Sequence, residues 1–199
     1  MWNRKIWLAP ILLATLAGCV GAPPAPVQQA PPPVIAEPTQ PDQIILEEAL
    51  KGRTLSNGEV AELSDRLLCD GNTCLNDEKT MARLEILLLK ALKSPDKSHR
   101  AALLQNLGVI HYHQGQFKKA RQELQNSNEL NPRDARTHFY LARLFAQQGE
   151  VYQRQGKQKL SRQQFKRASI EMDMARKLAP GNPTYKQDLQ TLSQSGLRR

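Results

Sequence analysis

Three cysteines and four histidines are the residues of this 199-residue chain best suited to covalent, redox or metal chemistry. Cys69 and Cys74 flank Asp70-Gly71-Asn72-Thr73, a turn-forming stretch that can bring two sulfurs together. A disulfide, a metal site and a redox pair are the chemistries open to that spacing. A metal site would need further Cys or His at ligand spacing, and a redox pair would carry Cys-x-x-Cys; the sequence has neither. Among the histidines, His111, His113 and His138 fall in helical patterns, and His113 has no acidic neighbour in sequence. Catalysis requires a nucleophile with its base, paired acids or a metal brought together by the fold. No Gly-x-Ser-x-Gly, His-Glu-x-x-His, phosphate-cradling Gly loop or EF-hand pattern occurs. The expectation is a protein that is not an enzyme, with no cofactor and no metal.

The remaining cysteine, Cys19, closes a different pattern. Arg4 and Lys5 precede an apolar stretch from Ile6 to Leu16, followed by Ala17, Gly18 and Cys19. That is the layout of a secretory signal peptide. The apolar run is shorter than the roughly 20 residues of a membrane-spanning helix, and Pro10 interrupts it. Leu16-Ala17-Gly18-Cys19 resembles the lipobox of bacterial lipoproteins, in which a lipid is attached to the Cys side chain and the peptide is cut just before it. The resemblance implies removal of residues 1–18 and lipidation of Cys19. Val20 stands where an inner-membrane lipoprotein commonly carries Asp, so the implied residence is the inner leaflet of the outer membrane, facing the periplasm. That compartment is oxidising, which favours the disulfide between Cys69 and Cys74.

Between Gly21 and Pro41 the chain is dominated by Pro, Ala, Gln and Val, with Glu37 its one charge. Proline removes backbone donors and favours extended, solvated chain, so residues 19–42 read as a lipidated cysteine and a disordered tether. Net charge is +9, unevenly placed. Acids and bases nearly balance from Asp42 to Arg100, whereas from Val151 to Arg199 only Glu171, Asp173 and Asp188 oppose a series of lysines and arginines. Lys157, Lys159, Arg162, Lys166 and Arg167 make a basic patch able to attract an anionic surface or an acidic protein. Secretion argues against nucleic acid as the partner.

From Ala101 onward, Leu104, Leu107, Gly108, His111, Gly115, Ala120, Leu124, Ser127 and Pro132 fall at fixed intervals. Their spacing resembles the 34-residue tetratricopeptide repeat. Small residues at 108 and 120 suit the close crossing of two antiparallel helices, Gly115 the turn between them, and Pro132 the end of the second. His111, Leu124 and Ser127 stand where Tyr, Phe and Ala are usual. A second unit opens at Ala135 with His138, Leu141, Ala142, Phe145 and Gly149, but its closing residues Ala168, Met172, Ala175 and Pro180 come about fourteen residues late. Gln, Lys and Arg without Pro favour helix over the added stretch, so a hairpin lengthened by about two turns per helix, turning at Gly156, is expected over a loop. The expected fold is all-α, a short solenoid of antiparallel helix pairs. Its parts are a degenerate first repeat with the disulfide loop at 43–100, repeats at 101–134 and 135–182, and a capping helix and tail at 183–199. Lys79–Lys93 is Leu-rich enough to predict burial on more than one face.

In the family, the first helix of each pair lines a binding groove. The resemblance carries that role onto Gln105, Val109, Tyr112 and His113, then Arg136, Phe139, Arg143 and Gln147; Asn106 and Arg143 match an incomplete carboxylate clamp. Such a wall suits an extended peptide or helix with an acidic end. The expected function is a scaffold holding a periplasmic or outer-membrane protein, as in lipoproteins that assist pilus and secretion pores or serve as adaptors for cell-wall enzymes. The alternative is contact with peptidoglycan or anionic lipid through the basic carboxyl-terminal third.

Overall fold

Three helix starts follow side-chain capping chemistry in the sequence. The computed structural model describes residues 41–69, 75 and 77–185, and among these it contains seven α-helices and no strand. These are α1 (Pro41–Leu50), α2 (Asn57–Leu67), α3 (Glu78–Leu92), α4 (Arg100–His113), α5 (Phe117–Leu130), α6 (Ala135–Arg154) and α7 (Gln158–Leu178). Ser56 and Glu59 form a reciprocal capping box at the start of α2. Asp77 caps α3 and Asp134 caps α6, each accepting a backbone N–H of the first turn.

Helices α4 and α5 are 14 residues each, whereas α6 and α7 are 20 and 21. The excess of six or seven residues adds about two turns, roughly 10 Å, to each arm. The stretch after Gly149 is therefore a long hairpin, and its turn sits at Gly156, whose φ of +72° a side chain would strain. At Gly108 the constraint is space. A Cβ there would lie 2.7 Å from Leu124 Cγ and 3.3 Å from the Ala120 carbonyl oxygen, so α4 and α5 meet where only a hydrogen fits.

Two apolar clusters share α4. One joins α1, α2 and α3 to Leu103, Leu107 and Ile110; the other joins Val109 to Ala120 and Leu124 of α5, to α6, and to Ala168, Met172 and Ala175 of α7. Residues Leu103 to His111 are consequently buried without a break. Each fully buried Leu contributes about 1.5–3 kcal/mol, and a helix covered on both sides gains most. Helix α3 departs from expectation: Leu84 and Leu88 are buried, but Ile86 is 60 % exposed and Leu89 40 %. It packs through one face because no described element covers the other. Helix α1 starts at Pro41, inside the stretch read as tether. The carboxyl-terminal cap is described only as a helical turn at residues 183–185, where buried Tyr185 stacks on Phe139 with centroids 4.8 Å apart.

Candidate partner-binding groove

Helices α2, α4 and α6 adjoin along one side of the fold and position the residues expected to bind a partner. Tyr112, near the end of α4, is the hub of an aromatic cluster: its ring lies 5.2 Å from Tyr140, 5.5 Å from His113 and 5.9 Å from Phe117, all edge-on. His113 Nε2 and the Tyr140 hydroxyl are 3.2 Å apart. The Arg143 guanidinium lies over two rings, 5.2 Å from Phe139 and 5.5 Å from Tyr112. Such cation–π contacts hold a guanidinium flat on the wall. His113 and Phe117 are exposed, and Tyr112, Arg143 and Gln147 are half-buried.

Several expected groove residues are instead the frame beneath it. Val109 is fully buried in the core, and Phe139 is 1 % exposed beneath Arg143 and Tyr185. Gln105 is buried and donates to the Asp134 cap and, at 3.1 Å, to Thr137 Oγ1, which latches the start of α6. Asn106 is fully buried and donates to Ser64 Oγ at 2.9 Å, while its carbonyl accepts from Arg136 at 3.2 Å. It has no capacity left for a ligand carboxylate. Arg136 donates to the Leu68 carbonyl and meets Asp65 Oδ1 at 3.4 Å, so its hydrogen bonds fasten α6 to α2. The physical reason is packing: other side chains and neighbouring elements lie against these positions, and the polar groups among them are paired there.

The same packing explains departures from the usual repeat residues. His111 is buried between two carboxylates, Nδ1 2.5 Å from Glu123 Oε2 and Nε2 3.3 Å from Glu85 Oε1. Burial disfavours its charge, but the hydrogen bond and charge of Glu123, followed by those of Glu85, outweigh it and raise its pKa. His138 Nδ1 lies 2.6 Å from Glu171 Oε2, and Nε2 donates to the Pro132 carbonyl at 3.0 Å. The Glu171 bond raises its pKa against burial. Ser127 donates to the Ala101 carbonyl at 2.8 Å, a tie that Ala could not make. Sequence reading missed Glu85, Glu123 and Glu171 because each reaches its histidine across a helix pair. Phe117 and Tyr185 were also missed as groove neighbours.

Lys157, Lys159, Arg162, Lys166 and Arg167 are all exposed, on the turn and the second helix of the long hairpin. Cys69 is exposed at the end of α2, while Cys74 and the lipidation site Cys19 lie outside the described residues. No described helix is long and apolar enough to cross a membrane, and no group of three or more His, Cys, Asp and Glu among the described residues could hold a metal ion.

The helix pair α4–α5 coincides with a match to the family model described as tetratricopeptide repeat, over residues 101–134. This segment is a tetratricopeptide repeat. The chain is also 31 % identical over 94 residues to the Photosystem I assembly protein Ycf3 of Rippkaea orientalis, covering 47 % of this chain and 54 % of that protein. The chain thus spans about half the length of the curated relative it matches. A tetratricopeptide repeat with a similarity of this kind suggests a role in protein interaction or assembly.

Proposed function

We propose that this protein is a non-enzymatic scaffold: an outer-membrane lipoprotein, anchored through Cys19 and facing the periplasm, whose groove holds an envelope protein during assembly of a larger complex. The observation that carries the binding role is the Arg143 guanidinium spread over Tyr112 and Phe139, beside exposed His113 and Phe117. An oriented cation on an aromatic wall suits a peptide or helix bearing a carboxylate near apolar side chains. The resemblance to an assembly protein supports the assembly role.

The test is a photo-crosslinker at Gln147 in intact cells, with and without Arg143→Glu plus Tyr112→Ala. A crosslinked partner that disappears in the double variant, with melting temperature nearly unchanged, supports the groove; one that persists at full yield refutes it. The anchor is tested by metabolic labelling with a palmitate analogue, which Cys19→Ser should abolish.

A second reading is favoured by the exposure of all five residues of the basic patch. Here the hairpin contacts peptidoglycan or anionic lipid. Sedimentation of the protein with sacculi, weakened steeply by salt because exposed charges are screened, would support it. Sedimentation that survives charge reversal at Lys157, Lys159, Arg162, Lys166 and Arg167 would count against it.

A further inference from the structure

Phe145 of α6 lies between two arginines. The Arg121 guanidinium of α5 is 5.3 Å from its ring centroid and the Arg167 guanidinium of α7 is 5.8 Å. Neither arginine has a carboxylate partner in the described structure, and the acids that approach this region are engaged elsewhere. Glu171, one turn beyond Arg167, is paired with His138; Glu123 with His111; Glu150 with Arg154. Arg121 is half-buried, and its Nε is closed off from solvent without a hydrogen-bond acceptor. Two like charges have been gathered at one ring with no counter-charge among the described residues, an arrangement that costs free energy until an anion arrives.

The preceding repeat shows what is missing. Residue 111 holds the place in the first repeat that residue 145 holds in the second, and there His111 is flanked by Glu85 of the helix before and Glu123 of the helix after. At Phe145 the flanking helices supply Arg121 and Arg167 instead, with no acid between them. We infer that Arg121, Phe145 and Arg167 form a second docking site, on the flank of the helix pairs, for carboxylate side chains of an acidic protein segment. The inference rests on the scaffold reading and adds the charge of the partner. Guanidinium forks held in place by an aromatic ring are pre-organised for bidentate carboxylate recognition, where lysines would provide only point charge.

The experiment uses the full-length chain and a fluorescein-labelled peptide of alternating glutamate and alanine, read by anisotropy at moderate salt. Arg121→Gln with Arg167→Gln should weaken binding about tenfold or more, and Arg121→Lys with Arg167→Lys, which keeps the charge, should lose most of that too. Lys157→Gln with Lys159→Gln, which removes the same charge from the hairpin turn, should change affinity by no more than about threefold. Equal loss in the two glutamine pairs would mean diffuse attraction and would overturn the proposal. So would binding of inorganic phosphate, but not peptide, that the arginine variants abolish. Arg143→Glu with Tyr112→Ala should leave this peptide bound; if that pair alone abolishes binding, the peptide belongs to the groove and the second site is refuted while the groove reading stands. Exposed Arg167→Glu alone repeats the test should the Arg121 variant fold poorly, and a variant that binds as wild type would refute the site.

Discussion

Raising the pH should loosen this fold through two buried histidines. Both ring nitrogens of His111 face carboxylate oxygens, and those of His138 face a carboxylate and a backbone carbonyl. Four acceptors can be satisfied only if both rings carry two protons, and both pKa values are accordingly raised above 6.5. A raised folded-state pKa contributes stability that is fully present below about pH 6.5 and is lost as pH climbs through the raised value. The opposite limb belongs to Glu85. Burial raises its pKa, but hydrogen bonds from Gln114 and then His111 hold it below its usual 4.5. Its contribution is present above about 4.5 and disappears as pH falls through the lowered value. Maximum stability is therefore expected between these limits, near pH 6. A hydrogen bond to a charged group contributes about 1.5–3 kcal/mol; because the carboxylates keep 17–24 % side-chain exposure, about 1 kcal/mol per histidine is reasonable after screening. Together that is about 2 kcal/mol between pH 6 and pH 9, or roughly 8 °C in melting temperature. Urea titrations followed by circular dichroism at both pH values measure it. His111→Gln with His138→Gln keeps an N–H donor at each site without a titrating ring, and should flatten the difference. If wild type is equally stable at both pH values, or the double variant shows the same fall, the two histidines are not charged in the native state and the reasoning fails.

Gly108→Ala should lower stability by about 1–2 kcal/mol in a thermal melt, because overpacking against Leu124 exceeds the roughly 1 kcal/mol that Ala gains in helix propensity; a rise in melting temperature would show that α4 and α5 can separate freely. Phe139→Ala should cost about 3–5 kcal/mol, as for other buried aromatics, whereas half-buried Tyr112→Ala should cost much less, a contrast that one chemical denaturation series settles. Arg136→Ala should cost about 1–2 kcal/mol by leaving the Leu68 carbonyl and Asn106 without their donor; unchanged stability would mean that α6 is held to α2 by packing alone.

Much of the architecture is legible because a helical repeat is local. Gly108, Gly115, Ala120 and Pro132 act on residues within one helix pair, so their spacing alone specifies a hairpin. The lengthened second hairpin is visible in the same way: Gly149 and Ala168 are too far apart for a standard repeat, and the residues between them favour helix. The groove was less legible. Family positions point to one face of the helix pairs, but exposure there is decided by which helix lies next door. Asn106 and Arg136 look like ligand donors in sequence and are spent on α2, more than 40 residues away in the case of Ser64. Ile86 and Leu89 look like core and are exposed, since the described elements cover α3 on one face only.

By itself, then, the sequence determined the helical pairs, their order, the turns between them and the uneven charge, all set by interactions between neighbours along the chain. Tertiary structure alone decided which polar groups are spent and which remain. His111 acquires two carboxylates and Phe145 two arginines at equivalent places in successive repeats because different helices border them. Pairing of buried charge depends on atoms within a few ångströms of one another, and distance in space is what a linear order of residues does not contain.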